Sequence, residues 1–208
     1  MKVFFWGLLL IALSGCVAAP VRQDMSAFQA AAPRSILVVP LVNKSLDVDA
    51  ANYVLAALPV PIAEKGYYVF PVNTTKFVLE QEGLYEGERI HEQPTAALAK
   101  LFGADAVLYV TIKRWDAQYL LITTTVTVEF NYRMVSKDGV EIWKENKLMQ
   151  YSPQNNSSGN PMVDLLVAAV NAAVTRAAPN YMPLARLANQ QVFILGANAL
   201  PNGPYRPK

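Results

Sequence analysis

One cysteine and one histidine bound the chemistry open to this chain of 208 residues. Cys16 follows Leu13-Ser14-Gly15. Small residues before a thiol give a peptidase room to approach, and the thiol is a nucleophile. His91 stands in an acidic stretch with Glu82, Glu86, Glu88 and Glu92. Carboxylates with one imidazole are usable ligands for a divalent ion. Gly83, Gly87 and Pro94 punctuate the stretch, and no metal-specific spacing occurs, so a solvated surface loop is expected there and no metal site. His91 is followed by Glu92-Gln93-Pro94-Thr95, which lacks the second histidine of a zinc helix. A serine triad would have only His91 to draw on. Gly-x-Ser-x-Gly, the phosphate-binding Walker loop and Gly-x-Gly-x-x-Gly are all absent from the sequence. The carboxylates of Asp47, Asp49 and Glu82 to Glu92 are what a hydrolase would have to use. The expected number of catalytic residues is none.

Behind Lys2, the run Val3 to Leu13 is apolar and too short for a membrane span, which takes ~20 residues. It reads as a signal peptide over 1–15. Leu13-Ser14-Gly15-Cys16 resembles the lipobox of bacterial lipoproteins. The resemblance implies a diacylglycerol on the Cys16 thiol, cleavage before Cys16 and an N-acyl chain on its new amine, with no other cofactor. At ~0.8 kcal/mol per buried CH2, three acyl chains anchor permanently. In enterobacteria-like sorting an Asp after the lipidated cysteine marks inner-membrane retention, so Val17 implies the outer membrane. Val17 does not select a face; the periplasmic face is expected rather than the cell surface. Residues 16–33, with Pro20 and Pro33 and a helical turn near Met25 to Ala31, read as a lipidated tether.

The remaining residues must fold to position whatever this anchor carries. Ser35 to Asn43 is a short, β-branched apolar run and reads as a buried strand. Asp47 or Asp49 is placed to cap a helix through Leu58, broken at Pro59 and Pro61. Tyr67 to Val72 reads as a second strand, Asn73 or Thr74 as the cap of the next helix, and Pro94 as the start of one that Gly103 ends. Asp105 to Ile112 is a third strand, apolar throughout. From Ile122 to Val135 the period becomes two: Val126, Val128, Phe130, Tyr132 and Met134 alternate with polar residues. Lys137-Asp138-Gly139 is a hairpin turn and Val140 to Tyr151 the returning strand. A helix is expected from Met162 to Ala178, a short one from Tyr181, and a strand or coil at Val192 to Leu195. Strands separated by helices imply a parallel core with the hairpin added antiparallel. The expected fold is α/β: a single mixed-sheet sandwich over 34–198, with a flexible tail at 199–208.

Composition limits the partners. Hydrophobic residues are 53% and charged residues 16%, which excludes a chain disordered throughout. Lys and Arg number 18 against 16 Asp and Glu, with no basic run, so nucleic acid is not an expected partner. Two segments suggest protein surfaces. The helix from Met162 is apolar on all sides, and Ala168, Ala169, Ala172 and Ala173 form a small-residue face that a second copy could approach closely. The hairpin at 122–151 alternates as a membrane hairpin would, but a single open hairpin cannot satisfy its edges in lipid.

With these residues in view, the chain resembles a family of bacterial outer-membrane lipoproteins of unknown function, which includes a meningococcal surface antigen. The matching pieces are the lipobox, Val38-Val39-Pro40-Leu41, Lys65-Gly66-Tyr67-Tyr68-Val69-Phe70-Pro71-Val72, and Leu101-Phe102-Gly103-Ala104-Asp105-Ala106-Val107-Leu108. A similar Gly-Ala-Asp join occurs in CsgG-like, LpoB-like and TolB amino-terminal domains. The resemblance implies a sandwich like the TolB amino-terminal or CsgG core, used as a non-catalytic adaptor or assembly component in the envelope. A CsgG-like lipoprotein is the partner it suggests, and the alanine face at 168–173 points to a homo-oligomer. The alternatives are a subunit of an outer-membrane export pore and an enzyme acting on cell-wall material.

Overall fold

The computed structural model describes residues 22–119, 124–151 and 181–207. Ile36, Leu37 and Val38 alternate between two buried faces, as a central strand requires, and form β1 (Ser35–Val38). The run expected as one strand breaks at Pro40, which has no N–H for a ladder, and resumes as β2 (Val42–Asn43). Both pieces pair parallel with β4 (Ala106–Tyr119). β3 is shorter than its aromatic run suggests, only Tyr68–Val69, and pairs parallel with β1. β5 (Thr124–Ser136) and β6 (Glu141–Tyr151) form the expected hairpin around Gly139, whose φ is +83°. The six-stranded sheet runs β3-β1-β4-β5-β6, with β2 also on β4. It is the mixed sheet the sequence implies: parallel on one side, antiparallel from β4 through β6.

Helices cover both faces. α1 (Ser26–Ala31), α2 (Ala50–Ala57), α3 (Pro59–Glu64) and α7 (Met182–Gln190) belong to the layer built on Ile36, Val38, Leu108, Val110, Phe130, Tyr132 and Trp143. α4 (Val72–Gln81), α5 (Gly87–His91) and α6 (Thr95–Phe102) supply Leu79, Ile90 and Leu98 to the opposite layer, against Leu37, Val107, Tyr109 and Val135. Gly103 ends α6 at φ +69°, as its position predicts. Among the described residues no helix is long and apolar enough to cross a membrane.

Several expectations are corrected. α4 starts at Val72 directly after Pro71, so Asn73 and Thr74 lie inside the helix and do not cap it. Asp49 is the residue before α2, but its side chain makes no capping bond. The acidic stretch is not all loop: Ile90 is fully buried and draws residues 87–91 into a helix. Val192 to Leu195 is neither strand nor coil. It continues α7 as one π-helical turn, burying Val192 and Phe193. The tether ends earlier than Pro33, because Phe28 of α1 packs edge-on to Tyr67, with ring centres 6.2 Å apart.

The tail is not loose. Leu200 is buried, Gly203 donates its N–H to the Lys65 carbonyl at 2.7 Å, and Tyr205 donates to the Gly66 carbonyl at 2.9 Å. Gly66 sits at φ +88°, and a Cβ there would overlap the backbone nitrogen of Arg206.

Candidate functional site

His91 is the first residue to place, since any acid–base chemistry would use it. Its helix docks because Gly87 has no side chain: a Cβ there would overlap the Leu41 carbonyl oxygen. His91 Nε2 lies 3.1 Å from the Pro40 carbonyl oxygen. That oxygen can only accept, so Nε2 carries the proton. The ring stands edge-on to Tyr109 at 5.0 Å. The Arg133 guanidinium lies 4.6 Å from the centre of the Tyr109 ring, and the Tyr109 hydroxyl shares a 2.9 Å hydrogen bond with Thr95 Oγ1. Burial pushes the imidazole down to about 4, against the opposing pull of the Pro40 carbonyl. The ring is therefore neutral at pH 7, holding a β1–β2 connection to β4, and no carboxylate orients it.

The acidic residues around it do not converge. Glu88 pairs with Lys44 at 3.2 Å, while Glu82, Glu86 and Glu92 point to solvent. Among the described residues no group of three or more His, Cys, Asp or Glu could hold a metal ion. Asp47 and Asp49 do not join that stretch in a cleft. Asp47 Oδ2 accepts the Trp115 indole N–H at 3.1 Å, and Oδ1 accepts the Asp49 N–H at 2.9 Å.

Asp105 has the role the Gly-Ala-Asp join requires. Its Oδ2 accepts from the Arg34 N–H at 3.1 Å, the Ser35 N–H at 3.2 Å and Ser35 Oγ at 3.1 Å. Lys137 Nζ stands 3.5 Å from Oδ1. Partial burial would raise its pKa, but these donors outweigh it and hold the carboxyl below its ordinary value. Asp105 thus staples the start of β1 to the start of β4.

A concave apolar site lies elsewhere, between α1 and the tail. It encloses about 500 Å³ and is lined by Phe28, Ala32, Pro33, Tyr67, Pro201 and Pro204, with Gln29, Arg34 and Asn202 as polar lining. Ala32 on its wall adopts φ +40°, the one non-glycine residue described in the left-handed region. Arg34 Nη2 donates to the Tyr205 hydroxyl at 3.1 Å, and the Tyr67 hydroxyl donates to the Pro201 carbonyl at 2.8 Å. Burial pushes the Tyr67 phenol well up, so it does not supply a phenolate. The cleft can hold an apolar group; among the described residues that line it, none is placed as a nucleophile or base. Sequence reasoning missed it because it joins residues more than a hundred positions apart. The glycines at 66 and 203 were its only local signal.

Leu13, Ser14, Gly15 and Cys16, and the alanines 168, 169, 172 and 173, lie outside the described residues. The hairpin at 122–151 is placed from residue 124 on. Its apolar face, with Val126, Val128, Phe130 and Trp143 fully buried, belongs to the core of this domain.

The model of the GNA1162-like lipoprotein family matches residues 23–205. A curated lipoprotein of Neisseria meningitidis serogroup B, NMB1124/NMB1162, is 36% identical over 181 residues, spanning 86% of this chain and 82% of its own. The crystal structure of lipoprotein GNA1162 from Neisseria meningitidis aligns at TM-score 0.58 and 34% identity, over 68% of this chain and 98% of that one. A PelC variant from Paraburkholderia phytofirmans, described as a dodecamer, shares the fold at TM-score 0.50 and 10% identity, over 81% and 91% of the two chains. The described β1–β4 core and its Gly103-Ala104-Asp105 join lie within the matched region, as does the tail as far as Tyr205, and the chain belongs to the GNA1162-like lipoprotein family.

Proposed function

We propose that this chain is a lipid-anchored outer-membrane lipoprotein, a non-catalytic adaptor in envelope assembly that works as a homo-oligomer beside a CsgG-like partner. The observation that carries the reading is the shortness of the link between anchor and domain. Gln23 is already held by the fold: its N–H donates to Asn198 Oδ1 at 2.8 Å, and its side-chain oxygen faces the Lys144 N–H at 3.5 Å. It stands seven positions after Cys16, at most ~25 Å of extended chain. The domain is therefore tethered close to the membrane, where confinement raises effective concentration and a modest interface suffices.

Three further features support an adaptor over the alternatives. The one imidazole is neutral and bonded to backbone. Asp47 and Asp105 hold structural hydrogen bonds. The hairpin that a pore subunit would insert contributes its apolar face to the core. PelC, which has the same fold, is a dodecamer, so the fold itself is compatible with a homo-oligomer.

The test is in-vivo crosslinking of a tagged copy with Cys16→Ala as the control, alongside labelling with a palmitate analogue. The expected result is label and one envelope partner on the wild type, both lost in the variant. Unlabelled wild-type protein, or the same partner captured by the unlipidated form, sinks the reading.

A further inference from the structure

The loop between β2 and α2, Lys44–Asp49, is stiff and presents apolar side chains to water. Asn43 Oδ1 accepts from the Ser45 N–H at 3.0 Å and from Ser45 Oγ at 2.7 Å. Asn43 Nδ2 donates to the Asp47 carbonyl at 2.7 Å. The Asp47 carboxylate then ties the loop to Trp115 on β4 and to the Asp49 N–H. Between these fastenings Leu46 is fully exposed and Val48 is 83% exposed. A flexible loop could fold such residues inward; this one holds them out. Two neighbouring aliphatic side chains held in water offer an apolar surface for a partner to cover.

The charges beside them select the covering surface. Asp49 is exposed and has no ion pair among the described residues. An acidic flank disfavours an anionic membrane surface. At the other end of α2 is an apolar groove of about 270 Å³ with Ala56, Ala57, Val60 and Pro61 as its floor and Arg186 and Glu64 on its rim. Val60 is itself 60% exposed, and Arg186, also exposed, has no ion pair among the described residues. The loop thus carries two aliphatic side chains and one unpaired anion, Asp49, because Lys44 already pairs with Glu88. The groove offers an aliphatic floor with one cation and one anion. Loop and groove lie at opposite ends of the same helix, and the loop is fastened at its own end.

We propose that the Leu46–Asp49 loop of one copy seats in the α2–α3–α7 groove of a second copy. Leu46 and Val48 cover Ala56 and Val60, and Asp49 pairs with Arg186 of the partner subunit. The contact is head-to-tail, so it builds a ring where the rotation closes. It rests on the homo-oligomer reading above and names its interface.

The experiment uses the full lipidated chain in detergent, where Cys16 is acylated and cannot oxidise. Leu46→Cys protein is mixed with Val60→Cys protein under mild oxidation, and disulfide-linked peptides are read by mass spectrometry. A 46–60 link in the mixture, absent from either protein alone, supports the seat. A dominant 46–46 link means a symmetric contact and overturns it. An oligomer by light scattering without any 46–60 link overturns the seat while leaving the homo-oligomer reading standing. A monomer at every concentration overturns both. As a second arm, Arg186→Asp weakens self-association at least tenfold, and adding Asp49→Arg restores it to within threefold. Failure of that rescue in a chain with unchanged circular dichroism also counts against the seat.

Discussion

The hydroxyl of Tyr132 donates a 2.7 Å hydrogen bond to Oδ1 of Asn189, and both residues are buried. It is the polar contact by which α7 is registered on the middle of β5. Around it the core is aromatic: Tyr132 lies edge-on to Phe193 at 5.4 Å, and Phe193 stacks on Trp143 at 5.6 Å. The indole N–H of Trp143 in turn donates to the Asn198 carbonyl at 2.8 Å. One aromatic cluster therefore fixes α7, the π-helical turn and the residues that receive Gln23.

Removing the Tyr132 hydroxyl leaves a buried acceptor without its donor. Asn189 Nδ2 already lacks a partner among the described residues, so the amide cannot compensate. Tyr132→Phe is expected to cost about 1–3 kcal/mol of stability. Tyr132→Phe with Asn189→Leu is expected to recover part of the loss. Urea unfolding of the two variants checks both; a double variant less stable than the single one would refute the account.

His91 makes stability depend on pH in a defined window. Its folded pKa of about 4 lies below the ordinary 6.5, so the unfolded chain binds the extra proton first. Its contribution is fully present above pH 6.5, falls as pH drops from 6.5 towards 4, and is gone below that. At 1.36 kcal/mol per unit this amounts to at most about 3 kcal/mol. The expected outcome is a shallower loss of stability between pH 7 and 5 in His91→Gln than in the wild type. The subtraction removes the carboxylates common to both. Parallel profiles would show that the imidazole is not the buried neutral group described.

Asp105→Ala removes the acceptor of three hydrogen bonds, two of them from backbone N–H groups at the entry to β1. Bonds to a charged acceptor are the stronger kind. A loss of about 2–4 kcal/mol is expected by denaturant unfolding, with Asp105→Asn between that and the wild type. A loss under 1 kcal/mol would mean that β1 and β4 hold their register without the staple.

Gly66→Ala tests the tail strap. A side chain at φ +88° is strained, and the new Cβ would overlap the Arg206 backbone. The expected result is a lower Tm and faster proteolytic clipping after Leu200, while the circular dichroism of the sheet is kept. An unchanged clipping rate would mean that the strap is not held at Gly66.

The sequence by itself determined the hairpin strands, the main stops and the family. Strands β5 and β6 were legible because alternation is a local property: Val126, Val128, Phe130, Tyr132 and Met134 all reach the core, as a period of two dictates. The stops at Gly103 and Gly139 were legible because positive φ is a local demand that glycine meets. The mixed α/β order and the lipoprotein family followed from the same short motifs.

What the tertiary structure alone decided are the roles of the polar residues. Asp47 reads as a helix cap and Asp105 as the first residue of a strand, but their carboxylates meet Trp115 and Arg34, 68 and 71 positions away. The acidic stretch reads as loop until Ile90 finds the second core layer. The tail reads as loose until Tyr67 meets Pro201 across 134 residues, and the tether until Gln23 meets Asn198 across 175. Periodicity reports which face a residue must turn inward. It carries no information about which distant donor will complete a carboxylate or a carbonyl, because that partner is chosen only when the layers close.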